Sequence, residues 1–496
     1  MGSELKSVGD LAASGIISLS TGPFGSALHK HDYRESGRPV VPAEAISDGD
    51  LDLSKLNYID EGKAEELTRY FLEPGDLVFA RRGAQACGHS AYVTREHNGA
   101  VAGTGLLYVR VLRKDVLDPF YFFLVMSSAE SVRWLKTHAI GATMPNLNTG
   151  IISSTPFCLI PLDQQHEIVS QYLPIRNKLS LLSRMNATLE GMAQALFKSW
   201  FVDFDPVIDN ALAADNPIPD ELADRAEVRR KILGERSSSY VTSSKDGAGA
   251  SPGSDIAPAM SSGKMDGPGA PSLPEFPAAF QQTESMGWIP EGWEVGSFLD
   301  EAKLLSGGTP KTSEPEYWNG GVKWASAKDV SQCGKTFLID TEKTISVVGL
   351  NKSATKIIPK FSTVVVARGA TTGRMTMFGE DIAMNQTCYG MRMKSGNHFY
   401  GYCHSKNLIT NLVGAAHGSV FDTITTTTFE SSKVLQVPQN LTDQFEEQVA
   451  PDFQKILSNQ EQTNTLTKLR DTLLPKLISG ELRIPAAEQL TEGALV

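Results

Sequence analysis

At 496 residues the chain is long enough for two or three domains with cores of their own. Its 41% apolar and 21% charged residues suit a globular protein, and no run approaches the roughly 18–20 apolar residues that span a bilayer. The net charge of −11 collects in a central connector and the C-terminal segment and leaves the region 288–440 slightly basic, so total charge neither requires nor excludes nucleic acid.

Residues 1–160 read as a mixed α/β head. Short strand-like runs, LVFA (77–80), AYVT (91–94) and GLLYVRVL (105–112), are separated by Gly/Pro/Asp turns. Asp118–His138 is long and apolar, and the Asp-Pro at its start marks a helix N-terminus. In 161–205, Ile168, Ile175, Leu182, Leu189 and Leu196 are spaced by seven, with Tyr172, Leu179, Ala193 and Trp200 as a second stripe. Pro174 is expected to break the run and leave a helix of about 27 residues, roughly 40 Å long. Residues 206–287 read as a flexible acidic linker, because Ser237–Ser285 is rich in Ser, Gly, Ala and Pro with almost no large apolar residue.

Residues 288–440 repeat the first plan, with VVVARG (364–369), CYGMRMK (388–394) and a helical stretch ending near His417. A second amphipathic helix over 441–484 carries Phe445, Val449, Phe453, Ile456, Leu466, Leu469, Leu473 and Leu477, and 485–496 is a tail. The segment 122–205 superposes in sequence on 399–482 without a gap, an offset of 277 residues that brings Phe122 onto Phe399, Gly141 onto Gly418, Pro161 onto Pro438 and Leu189 onto Leu466. A repeat this long is a duplicated domain rather than a solenoid unit. The expected architecture is α+β: two pseudo-repeated heads joined by two long helices that pack antiparallel as a coiled coil. Ile175, Leu182, Leu189 and Leu196 would face Ile456, Leu466 and Leu473. The competing arrangement has each helix packed on its own head.

Catalytic signatures are missing. Gly334-Lys335-Thr336 ends like a phosphate-binding loop, but Asp329 stands where its first glycine belongs. The chain has no Pro-Pro, which an adenine methyltransferase motif would need. Gly249-Ala250-Ser251-Pro252-Gly253 matches a nucleophile elbow only formally, inside the Ser/Gly stretch. His29 and His31 lack a third metal ligand, and Cys87, Cys158, Cys333, Cys388 and Cys403 form no CxxC, so neither a metal site nor a disulfide framework is expected. The N-terminus has no basic stretch followed by an apolar core, which argues against secretion and for a cytoplasmic protein.

Trp288-Ile289-Pro290-Glu291-Gly292-Trp293-Glu294, then Ser306-Gly307-Gly308-Thr309-Pro310 and Pro315-Glu316-Tyr317-Trp318, resemble the start of a target-recognition domain in the specificity subunits of type I restriction-modification systems. Thr21-Gly22-Pro23-Phe24-Gly25-Ser26 and Gly37-Arg38-Pro39-Val40 resemble another version of that start, and Leu474-Pro475-Lys476-Leu477-Ile478-Ser479-Gly480-Glu481-Leu482 resembles the end of the family's last helix. Two departures stand out: the connector is longer and more acidic than the family plan, and the first head lacks the Trp-Glu opening, so the chain start is expected to pack differently.

The resemblance implies a non-catalytic subunit that reads an asymmetric bipartite target in double-stranded DNA, one half-site per head. It implies docking of two methyltransferase subunits, which use S-adenosylmethionine, and of two restriction/motor subunits, which use ATP and Mg. No cofactor belongs to this chain and no membrane is involved. A protein–protein scaffold without DNA binding is the alternative. Residues with donors, acceptors or positive charge in the head loops are the candidate DNA contacts. In head one these are Lys30, His31, Tyr33, Arg34, Arg81, Arg82, Gln85, Thr143, Asn146 and Asn148. In head two they are Thr309, Lys311, Thr312, Arg368, Thr371, Thr372, Arg374, His417, Ser419 and Thr423.

Overall fold

The computed structural model describes residues 4–47, 49–82, 87–141, 145–243, 275–415 and 423–478. It divides into two compact units, residues 1–182 with 462–496, and residues 183–461.

The first unit opens with the strand Glu4–Ser7. Ser7 caps the helix Val8–Ala13 by accepting from the Asp10 amide, and the Asp10 carboxylate returns the bond to the Ser7 amide. This reciprocal box satisfies two amides that a helix start would otherwise leave unpaired. The strand Ile17–Thr21 then enters an antiparallel sheet in the order Ile17–Thr21, Leu106–Val111, Leu77–Ala80, Ser90–Tyr92. A second sheet runs Val101–Ala102, Arg38–Val41, Asn57–Ile59, Tyr33–Arg34, its first pair parallel. Phe120 through Met126 are all buried, because the helix Pro119–Met126 is apolar on every side and lies inside the core. Asp118 caps it through the amides of Phe120 and Tyr121. The single helix expected over Asp118–His138 is two, since Ser128 leaves the helical conformation to cap Ala129–His138 through the Ser131 amide.

The second unit contains the same plan. Strand Glu294–Ser297, helix Phe298–Glu301 with a Ser297–Asp300 box, and strand Ala302–Ser306 lead into a sheet ordered Ala302–Ser306, Cys388–Met393, Thr363–Val366, Met375–Phe378, Phe337–Leu338. The companion sheet runs Lys343–Ile345, Trp318–Ala325, Ile382–Met384, Ile357–Ile358. Each head is closed by its last strand. Pro156–Leu159 pairs antiparallel with Glu4–Ser7, and Lys433–Gln436 pairs antiparallel with Glu294–Ser297. The chain start therefore packs as the second head's does, contrary to expectation. What fixes the opening is the Ser-x-x-Asp box and the closing ladder, both present in each copy, whereas Trp293 only fills the second unit's own core.

The 277-residue offset holds in three dimensions. The closing strands Pro156–Leu159 and Lys433–Gln436 keep it, and so do both ends of the long helices Leu162–Phe201 and Gln439–Ile478. Pro174 does not break the first helix; it sits inside it, exposed. It removes one donor and crowds the carbonyl four residues back, a cost of about 3 kcal/mol. Tyr172 and Ile175, buried on either side, hold the helix through it.

Within the first unit the two helices run antiparallel. The Tyr172 hydroxyl donates to the Arg470 carbonyl (3.1 Å), while Ile175, Leu182 and Leu466 form a small apolar cluster. Leu473 joins the core of head one. Within the second unit Asn459 donates to Asn186 (2.8 Å) and Phe201 meets Phe445 edge-on, again antiparallel. There Leu189 and Leu196 pack, half-buried, against the head-two core to which Ile456 belongs. The heptad stripe thus serves a helix seam at Ile175, Leu182 and Leu466 and a head core elsewhere.

The connector differs from its reading as a linker starting at 206. Asp205–Ala213 and Ala223–Ser243 are helices, clamped by Arg225 on Asp205 (2.7 Å) and Arg229 on Asp209 (2.8 Å). Strands Phe280–Thr283 and Gly287–Pro290 follow. Asp205, at the end of the preceding segment, and Asp209 of the connector thus pair with arginines 20 positions on, a spacing beyond local pattern rules. The Ser/Gly stretch 244–274 lies outside the described residues. All five cysteines are free thiols, three buried and two half-buried.

Candidate nucleic-acid interface

Antiparallel order brings three chain turns to one end of each main sheet: the exit of the first strand, the approach to the long last strand, and the exit of the strand between them. In head one the Gly22 amide donates to the Leu106 carbonyl (3.0 Å) and the Arg81 amide to Gly105 (2.8 Å). A fourth segment joins when the Leu147 amide donates to Arg81 (2.9 Å), which sets Arg82 opposite Asn146, and Asn146 opposite Ile140. Head two repeats the construction. Gly308 donates to Met384 (2.9 Å), Ala367 to Thr387 (2.8 Å) and Ile424 to Ala367 (2.8 Å), which sets Arg368 opposite Thr423. A Cβ at Gly22 would lie 2.0 Å from the Gly103 carbonyl oxygen, and one at Gly307 2.0 Å from that of Met384, so only glycine permits these crossings.

These strand ends gather part of the expected set. Arg82 and Asn146 face each other, and Arg81 is beside them, half-buried. Arg81 Nε and Asn146 Oδ1 are buried without a hydrogen-bond partner among the described residues. In head two Arg368, Thr371, Thr372 and Arg374 share the turn between Thr363–Val366 and Met375–Phe378, whose Gly369 and Gly373 take φ of 100° and 87°. Arg368 and Arg374 are exposed, with no ion pair among the described residues. Thr309 belongs to the same end: its hydroxyl donates to Gln386 Oε1 (2.5 Å). Lys311 and Thr312 follow it, exposed, and the Lys311 carbonyl receives the Trp318 indole N–H (3.1 Å).

Other expected contacts fall elsewhere. Asn148 is the cap of helix Thr149–Ser153, accepting from the Ile151 amide at 2.8 Å. Arg34 pairs with Asp60 (3.0 Å) and donates to the His31 carbonyl (2.7 Å), on the edge strand of the second sheet. Tyr33 is half-buried beside it, Lys30 is exposed, and His31 stacks on His29 with ring centroids 5.1 Å apart. Among the described residues, no bond of these four reaches the Arg82–Asn146 end. Gln85, Thr143, His417 and Ser419 lie outside the described residues.

Residue-type reasoning passes over Thr104 and Gln386, which occupy equivalent exposed positions just before Gly105 and Thr387. Only the strand register reveals them. It also passes over Glu190 of the first long helix, which accepts from Lys406 Nζ (2.6 Å), Thr336 Oγ1 (2.6 Å) and the Tyr402 hydroxyl (2.7 Å) and so binds that helix to head two. Burial pushes the Glu190 carboxyl up, but the Lys406 ammonium and the three donated bonds outweigh it and hold the group below the ordinary carboxylate range. Thr336, the last residue of the false phosphate loop, is spent in this network. Among the described residues no group of three or more His, Cys, Asp or Glu could hold a metal ion, and no helix is long and apolar enough to cross a membrane.

A family model described as the type I restriction modification DNA specificity domain matches residues 25–190 and 290–468. The HindI type I restriction enzyme specificity subunit of Haemophilus influenzae is 26% identical over 454 residues, covering 88% of this chain and 94% of that protein. The MjaIX specificity subunit of Methanocaldococcus jannaschii is 20% identical over 397 residues, covering 79% and 75%. The solved type I restriction-modification S subunit from M. genitalium is 13% identical with 96% of each chain covered and a TM-score of 0.48.

Proposed function

The chain belongs to the type I restriction-modification DNA specificity family, and from that membership we propose a non-catalytic subunit that reads a bipartite, asymmetric site in duplex DNA. Each head takes one half-site through its strand end: Arg81, Arg82 and Asn146 in head one, and Arg368, Arg374, Thr309 and Thr423 in head two. Arginine suits guanine O6/N7 or phosphate, and asparagine suits adenine N6/N7, in a major groove wide enough for such a strand end. The long helices set the half-site spacing and receive two methyltransferase subunits and two restriction/motor subunits. S-adenosylmethionine belongs to the former, ATP and Mg to the latter, and the assembly works in the cytoplasm. Basic surfaces of the partners supply much of the phosphate contact, since this chain is acidic overall.

The observation that supports this reading best is the equivalence of the two strand ends, built alike in backbone and unlike in side chains. The test is to map methylated motifs in cells carrying the chain with its methyltransferase partner. Arg82→Ala or Asn146→Ala should relax one half of the motif, and Arg368→Ala the other, each by about 1–3 kcal/mol of discrimination. A motif unchanged by all three, or altered in both halves by one, would overturn the assignment.

A further inference from the structure

Gln386 stands on the loop between strands Ile382–Met384 and Cys388–Met393, exposed, at the reading end of head two. Its amide oxygen is fixed by the Thr309 hydroxyl at 2.5 Å, and its Nε2 has no partner among the described residues. Both backbones beneath the pair are braced. Asn385 Oδ1 accepts from the Thr387 amide (3.2 Å) and hydroxyl (2.9 Å), and the Gly308 carbonyl receives the buried Trp324 indole N–H (3.0 Å). A Cβ at Gly308 would lie 2.6 Å from the Ala354 carbonyl carbon, so the segment that presents Thr309 runs hard against the Ala354–Thr355 backbone.

An exposed glutamine normally samples many rotamers and loses that freedom on binding, whereas this one is held in advance. The side chain presents a free N–H donor next to an oxygen with a lone pair to spare, the pattern that matches adenine N7 and N6 in the major groove. We propose that Gln386, oriented by Thr309, reads an adenine in the half-site of head two. The equivalent positions of head one hold Thr104 and Phe24, the latter 61% exposed, so the device belongs to head two alone.

This rests on the DNA-reading function proposed above, and the experiment separates the two. The chain assembled with its methyltransferase partner is titrated with duplexes carrying the mapped motif, in which each adenine is replaced in turn by 7-deazaadenine, which lacks the N7 acceptor. One position in the head-two half-site should weaken wild-type binding about tenfold. Gln386→Ala should bind the unmodified duplex as weakly, with no further loss from 7-deazaadenine at that position. Gln386→Glu, which keeps an acceptor and loses the donor, should behave the same way, and Thr309→Val should show a smaller loss at the same adenine. The inference fails if no head-two adenine is sensitive in the wild type, or if both Gln386 variants remain as sensitive as the wild type. Absence of sequence-specific binding by the wild-type complex would instead overturn the function itself. Gln386 is exposed, so melting curves of the variants should match the wild type.

Discussion

At the scale of single residues, Asn146 and Asn148 show how two like side chains divide their work. Asn146 lies opposite Arg82 with its amide oxygen unbonded among the described residues, while Asn148 uses its side chain on the Ile151 amide. Asn148→Ala should therefore cost about 1 kcal/mol of stability, seen as a lower melting temperature, and leave the methylated motif intact. Asn146→Ala should do the reverse; a shared outcome for the two would show that one of these assignments is wrong. Residue type alone made both asparagines candidates, and the same logic selected Arg34, which Asp60 holds. The Arg82 and Arg368 turns were legible because glycine and arginine follow a buried strand. Gln386 was not, because its meaning depends on Thr309, 77 positions away.

At the scale of elements, the long helices combine a seam with two head interfaces. Leu182, 3% exposed between Ile175 and Leu466, should cost about 2–5 kcal/mol when cut to alanine, and thermal unfolding will measure it. Pro174 gives the opposite case. It is exposed and donates no hydrogen bond, so Pro174→Ala should raise the melting temperature, by up to about 3 kcal/mol of stability. A loss would mean that the proline shapes a bend the helix needs. The heptads were readable as an amphipathic helix, but not which residues face a helix and which a head, since both surfaces are apolar.

Glu190 adds a dependence on pH. Its carboxyl is held below its ordinary value in the folded chain, so its contribution is present above the ordinary carboxylate range and is lost as pH falls through the depressed value. Wild-type stability should thus fall more steeply than that of Glu190→Gln below about pH 4.5. Parallel curves would remove the Lys406 pairing as a source of stability.

At the scale of the whole molecule, the duplication legible in the sequence extends to the ends of both 40-residue helices. If those helices set the half-site spacing, lengthening one alone should fail, because Asn186 and Asn459 fix the register between them. Seven residues inserted in each, beside those asparagines, preserve the helical phase and add roughly 10 Å, or about three base pairs of spacer. Methylation mapping should show both half-sites unchanged and the gap widened; altered bases at an unchanged gap would contradict the spacing role.

The ladder that closes each head has a topological consequence. Glu4–Ser7 lies against Pro156–Leu159, and Glu294–Ser297 against Lys433–Gln436, so the chain enters and leaves each head through neighbouring strands about 4.8 Å apart. A part with adjacent inlet and outlet is a plug-in, provided that it also covers the apolar face each long helix turns toward its head. An inert domain with neighbouring termini and a matching apolar face could occupy either socket. The chain so altered would keep its other head folded and would impose sequence on only one side of its site, a reader made half blind by design.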